Sequence, residues 1–203
     1  MVYGTLQSQE QSMRATILRT AGVRSGQSAS SHEAPSNQAG GLGLTGQNMS
    51  DLRDLILIEA ISPRIAASSR RQALQALCDL IAKPAGLAPR AVFEAVLLRE
   101  RLSGTGVGDG VAIPHARLTG LDRPVGGFAR LDPAQNFGAM DGRACDLVFL
   151  LLSPADAGGD HLKALARVAR YFRRAEMRDK LREARGGGEL QTLLAAPQQS
   201  DAA

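Results

Sequence analysis

Apolar and polar positions along the chain change period several times, and each change marks an element. From Ser25 to Asn48 there is no period, because Ser, Gly, Gln and Asn dominate and Ala34-Pro35-Ser36-Asn37 and Gly40-Gly41 act as breakers. Residues 1–48 are therefore expected to form a disordered N-terminal extension, with a weak helical patch at Met13–Leu18. A globular pattern runs over 49–197, and 198–203 reads as a frayed tail. Ser50-Asp51 predicts the cap of a short helix through Ile58, followed by Ser62-Pro63 and a brief strand around Arg64–Ala67. Ser68 or Ser69 then caps a helix whose Leu74, Leu77, Cys78 and Ile81 follow the i, i+3, i+4, i+7 rule. Lys83-Pro84-Ala85-Gly86 ends it, and Pro89 opens a second helix with Val92, Phe93, Val96 and Leu97 as its apolar stripe.

The second half alternates strands with a helix. Pro124–Leu131 and Ala144–Ser153 read as strands, with an Asp141-Gly142 turn between them. Cys145–Leu150 is almost continuously apolar, as a central strand covered on both faces requires. A long helix capped by Asp160 carries Leu162, Leu165, Val168, Ala169 and Phe172 on one side. Lys163, Arg167, Arg170, Arg174 and Arg178 fall on the other, either as a solvated face or as a docking stripe for an acidic partner. Gly186-Gly187-Gly188 ends the helical region before a last short helix over Glu189–Ala195.

Between the second helix and the strands lies a stretch of another kind, Ser103-Gly104-Thr105-Gly106-Val107-Gly108-Asp109-Gly110-Val111-Ala112-Ile113-Pro114-His115-Ala116-Arg117. Glycine at alternate positions, Gly104, Gly106, Gly108 and Gly110, lets backbone N–H groups approach a bound anion. The spacing fits neither the dinucleotide fingerprint nor a Gly-Lys-Ser/Thr phosphate loop. Pro114 biases Ile113 towards an extended conformation, so His115 leaves a short strand at a set angle. A neutral imidazole is a nucleophile near pH 7, and a phosphoryl group placed on it would sit beside a loop rich in N–H donors. The plainer reading is a half-buried histidine satisfied by a carbonyl, and both readings stand on chemistry alone.

Leu98-Arg99-Glu100, Gly104-Thr105-Gly106-Val107-Gly108 and Val111–Arg117, with Pro154-Ala155-Asp156 and His161-Leu162-x-x-Leu165-Ala166 downstream, carry a family resemblance. They resemble the IIA proteins of the bacterial phosphotransferase system, of the mannitol/fructose class and its nitrogen-regulatory branch. The resemblance implies an α/β fold, a three-layer α/β/α sandwich with a small mixed sheet, which the strand and helix alternation allows. It implies that His115 is phosphorylated by an HPr-like (NPr-type) phosphocarrier, with His161 against it and Arg99 nearby. The phosphoryl-binding loop would be Gly104, Thr105, Gly106, Gly108 and Gly110. By themselves, Arg99 also reads as a helix-end charge and His161 as a capping residue. One departure stands out: the family usually has Gly-Ser-Thr-Gly where this chain has Ser103-Gly104-Thr105-Gly106, so a hydroxyl is displaced by one position.

A formal charge of +4, mostly arginine over lysine, favours acidic or phosphorylated partners without requiring nucleic acid. No aromatic platform accompanies the arginines, and tryptophan is absent. Cys78 and Cys145 have no metal spacing and read as reduced core thiols. No cofactor or metal is demanded. The longest apolar run, Leu147–Leu152, is far short of the roughly 20 residues of a membrane helix, and no signal-peptide pattern opens the chain. A cytoplasmic protein without membrane insertion is expected. Its function would be a nitrogen-regulatory phosphocarrier acting on targets such as potassium transporters or sensor kinases. The alternatives are a sugar-specific IIA component handing phosphate to a IIB domain, or a non-catalytic basic adaptor.

Overall fold

The computed structural model describes residues 52–196; the expected extension, the tail at 198–203, Ser50 and Asp51 lie outside the described residues. Leu52 opens one tight turn, its carbonyl accepting from the N–H groups of Leu55 and Ile56 at 2.9 Å. The chain then extends as β1 (Ile56–Ile65). The helix expected through Ile58 is thus a single turn followed by a strand, and the strand expected at Arg64–Ala67 is only the end of β1. Parallel pairing of the Ile-rich run with β5 (Val125–Gln135) decides this over the local helical pattern.

Helix α1 (Arg70–Ala82) is capped by Ser69, whose hydroxyl accepts from the Gln72 N–H at 3.2 Å. Helix α2 (Pro89–Leu102) begins at its proline, as the sequence predicts. The chain continues through β2 (Gly106–Gly108), β3 (Val111–Ala112), β4 (His115–Leu118), β5 and β6 (Cys145–Pro154). The sheet order is β1-β5-β6-β3-β2, with β4 also on β6, so the glycine-rich segment forms one edge. Pairing is mixed: β6 runs antiparallel to β5 and parallel to β3 and β4.

Alternate residues of β6 enter opposite cores. Val148, Leu150 and Leu152 pack with α1 and α2. Leu147, Phe149 and Leu151 pack beneath α3 (Gly158–Arg173), α4 (Ala175–Glu183) and α5 (Gly187–Ala195). A central strand covered on both faces and a three-layer α/β/α arrangement follow, as expected.

The long helix differs from its sequence reading in three ways. It starts at Gly158 after Ala157, so Asp160 lies inside the first turn, where it accepts from Lys163 at 3.0 Å instead of capping. Its buried arc is His161, Ala164, Val168, Tyr171 and Phe172, whereas Leu162 and Ala169 are exposed. The arc includes a histidine and a tyrosine, neither of which the stripe read from Leu162, Leu165, Val168, Ala169 and Phe172 contains. Finally, the helix breaks at Arg174, so the arginine stripe is not continuous. Arg178 is buried in α4, donating to the Phe172 and Arg173 carbonyls at 2.7 and 2.8 Å and pairing with Asp109 at 3.0 Å. Arg167 pairs with Asp54.

Candidate functional site

β3 and β4 lie along β6 in one continuous register, Val111 opposite Leu147 and His115 opposite Leu151. Ile113-Pro114 interrupts the ladder between them. The Pro114 carbonyl accepts from Leu151 N–H at 2.9 Å, while Ile113 N–H turns away to the Thr105 carbonyl, also at 2.9 Å. This break frees the Ile113 carbonyl to accept from the His115 ring at Nδ1, 2.9 Å away.

The contacts of His115 settle its tautomer. A carbonyl can only accept, so Nδ1 carries the proton. On the opposite side Arg99 Nε, which can only donate, lies 3.0 Å from Nε2. Neutral His115 therefore presents its lone pair at Nε2. Burial lowers its pKa from the ordinary imidazole value, the Ile113 carbonyl partly offsets this, and the charges of Arg99 and Arg117 lower it further. The ring is neutral at physiological pH.

Arg99, in the last turn of α2, is held by more than the histidine. Its Nη1 donates to both the carbonyl and the hydroxyl of Ser103 at 3.0 Å. The hydroxyl displaced from position 104 thus lies against the guanidinium that touches His115. Position 104 itself has no room for a side chain: a Cβ there would lie 2.3 Å from the Phe137 carbonyl oxygen.

His161, from the first turn of α3, brings its ring centroid to 5.5 Å from that of His115. It is buried, and its Nδ1 lies 2.8 Å from the hydroxyl of Ser153, itself fully buried at the end of β6. Burial again lowers the pKa, helped by His115, Arg117 and Arg99. Sequence reasoning passed over Ser153, although a signal was present: it continues the Leu147, Phe149, Leu151 register with a hydroxyl where the α3 side otherwise takes apolar groups.

The glycine loop is built as follows. Gly106 N–H donates to the Phe137 carbonyl at 3.0 Å, and a Cβ on Gly106 would meet Ala139 at 2.7 Å. Gly108 and Gly110, both at positive φ, turn the β2–β3 hairpin among Asp141, Asp146 and Arg182. Arg182 clamps this hairpin with a two-pronged contact to Asp146 at 2.8 and 2.9 Å and a third bond to the Asp109 carbonyl. The Thr105 hydroxyl donates to the buried Glu100 carboxylate at 2.6 Å, and Arg70 approaches that carboxylate at 3.3 Å. Desolvation raises the Glu100 pKa, against the opposing pull of Thr105 and Arg70.

Among the described residues, no group of three or more His, Cys, Asp or Glu comes together to hold a metal ion, and no helix is long and apolar enough to cross a membrane. Both cysteines are free and buried.

The phosphoenolpyruvate-dependent sugar phosphotransferase system EIIA 2 model matches residues 54–196, from the turn before β1 to the end of α5. The chain belongs to this family. Within it, the similarity is to the nitrogen-regulatory branch. A nitrogen regulatory protein of Bradyrhizobium diazoefficiens is 49% identical over 146 residues, 72% of this chain and 95% of that protein. The nitrogen regulatory protein of Escherichia coli K12 is 38% identical over 137 residues, 67% of this chain and 84% of that one. The crystal structure of the nitrogen regulatory protein IIA-Ntr from Neisseria meningitidis superposes with a TM-score of 0.66 at 31% identity, covering 70% of this chain and 98% of that one. This chain is thus a phosphotransferase-system IIA component with a nitrogen-regulatory affiliation.

Proposed function

We propose that His115 accepts a phosphoryl group from a phosphohistidine of an HPr-like carrier protein and that the phosphorylated and free forms bind regulated targets differently. The observation that carries this reading is the His115 ring held between the Ile113 carbonyl and Arg99, with its lone pair at Nε2. The Nε2 lone pair attacks phosphorus; the bond to the donor's ring nitrogen breaks, and that nitrogen keeps the electron pair. The Ile113 carbonyl, on Nδ1–H, stabilises the positive charge that develops on the His115 ring. Arg99 moves from Nε2 to a phosphoryl oxygen, with His161 as the second donor and the segment from Gly104 to Gly110 shaping the wall beside them. Leu98, Leu102 and Leu162, next in sequence to or one turn from Arg99 and His161, are 64, 77 and 62% exposed and suit a protein donor rather than a small molecule.

Phosphorylation places a dianion beside Arg99, which changes what this surface pairs with. Regulated partners such as potassium transporters or sensor kinases belong to this reading, as does the assignment of the whole activity to residues 49–197 in the cytoplasm. Intact-mass measurement after incubation with phosphoenolpyruvate and the upstream carrier proteins is expected to show one added phosphoryl group that maps to His115. Transfer that survives His115→Ala would overturn the assignment.

A further inference from the structure

Ser153 and His161 meet in a place where the direction of one hydrogen bond matters. The serine hydroxyl is fully buried at the end of β6, and the partner it has among the described residues is Nδ1 of His161, 2.8 Å away. A hydroxyl can donate or accept, and so can a neutral imidazole nitrogen, so distance alone leaves two arrangements. If Nδ1–H donated to Ser153, the hydroxyl hydrogen would be left buried without an acceptor, a desolvation that nothing among the described residues offsets. If Ser153 donates to Nδ1, its hydrogen is satisfied and the ring proton moves to Nε2.

We infer that Ser153 is a positioning residue that donates to Nδ1 of His161 and so fixes the proton on Nε2, making His161 a donor to the phosphoryl group carried by His115. This rests on the phosphocarrier reading for its purpose, but the tautomer itself does not. The two histidines are then set oppositely by their neighbours. The Ile113 carbonyl holds the proton of His115 at Nδ1 and leaves Nε2 free to attack; the Ser153 hydroxyl occupies Nδ1 of His161 and leaves Nε2–H to give. With ring centroids 5.5 Å apart, one ring supplies the lone pair and the other a hydrogen bond to the incoming oxygen. Two rings in the same tautomer could not divide the work this way. The backbone supports the geometry from both sides: Ser153 pairs with Arg117 in the register that sets His115 opposite Leu151, so nucleophile and positioning hydroxyl hang from adjacent strands.

Ring nitrogen shifts and couplings of His161 in the unphosphorylated wild-type protein, measured by NMR near neutral pH, test the tautomer directly. Protonated Nε2 and bare Nδ1 are expected; a protonated Nδ1 overturns the inference whether or not the protein accepts phosphate. In Ser153→Ala, the His161 signals should shift towards a tautomer mixture while those of His115 stay as in wild type. The rate of phosphoryl transfer from the carrier should fall about tenfold with carrier affinity unchanged, and Ser153→Thr should restore the Nε2–H tautomer. A Ser153→Ala protein with the wild-type His161 tautomer and a transfer rate within about twofold of wild type refutes the positioning role. If the wild-type protein takes no phosphoryl group at all, the functional reading fails instead, and the NMR result still stands or falls alone.

Discussion

At the scale of single residues, the proposed phosphoryl transfer depends on keeping imidazoles neutral. Burial is the first cause of the lowered pKa at both His115 and His161, with nearby guanidinium groups acting in the same direction. The sign follows from linkage. As pH falls through the ordinary imidazole value of about 6.5, the unfolded chain takes up protons before the native protein does, so acidification destabilises the fold. Stability contributed by these rings is therefore complete at about pH 7 and is lost between 6.5 and their lower native values. NMR titration is expected to place both rings below 6.5, and phosphoryl acceptance should keep most of its neutral-pH rate at pH 6.5. A ring titrating above that value would contradict the packing seen here. Glu100 works in the opposite sense, because its raised pKa makes the fold gain stability as that carboxyl is protonated.

At the scale of elements, the glycine-rich segment is first a packing device. Residues 104 and 106 press against Phe137–Ala139, where an added Cβ would come within 2.3 and 2.7 Å of its neighbours. Gly104→Ala and Gly106→Ala should each lower stability by about 1–3 kcal/mol, read as a drop in Tm. Gly188→Ala, in the first turn of α5 with nothing within 4 Å of its Cβ position, should be neutral or slightly stabilising. Equal losses at all three positions would show that close approach is not the cause. The usual family hydroxyl could not simply be restored at position 104 for the same reason, and Ser103 brings a hydroxyl to Arg99 instead. α4 serves the same edge from the other side, since Arg178 and Arg182 fasten the hairpin that precedes His115.

For the whole molecule, the two cores on either face of the sheet draw their residues, among the described ones, from Leu52 to Leu194, and the family match covers residues 54–196. The Ser-, Gly-, Gln- and Asn-rich composition of Ser25–Asn48 lacks the apolar content of a core, so removing residues 1–48 is expected to leave Tm and the rate of phosphoryl acceptance close to those of the full chain. Comparing both quantities in the full chain and a 49–203 chain checks this, and a large fall in either would assign the first segment a part in the fold or the site. The sheet is what brings the parts together: Arg99 comes from the layer on one face, His161 from the layer on the other, and His115 from the edge between them.

Local pattern was enough for α1 and α2, for β5 and β6 and for the place of His115 behind its proline, because each has a signal within one turn or one strand: a capping serine, a proline at a helix start, an apolar run, an Ile-Pro-His break. The family motif added Arg99 and His161, which no local rule distinguishes from surface charges. Contacts distant in sequence decided the rest. Pairing with β5 drew Ile56–Ile58 out of the expected short helix and into β1, and packing on β6 turned α3 so that a histidine and a tyrosine face inward. The same contacts put Phe137 where position 104 must stay bare and a β6 hydroxyl beneath the second imidazole. These depend on which surfaces meet, and a one-dimensional pattern records the character of a surface without recording its partner.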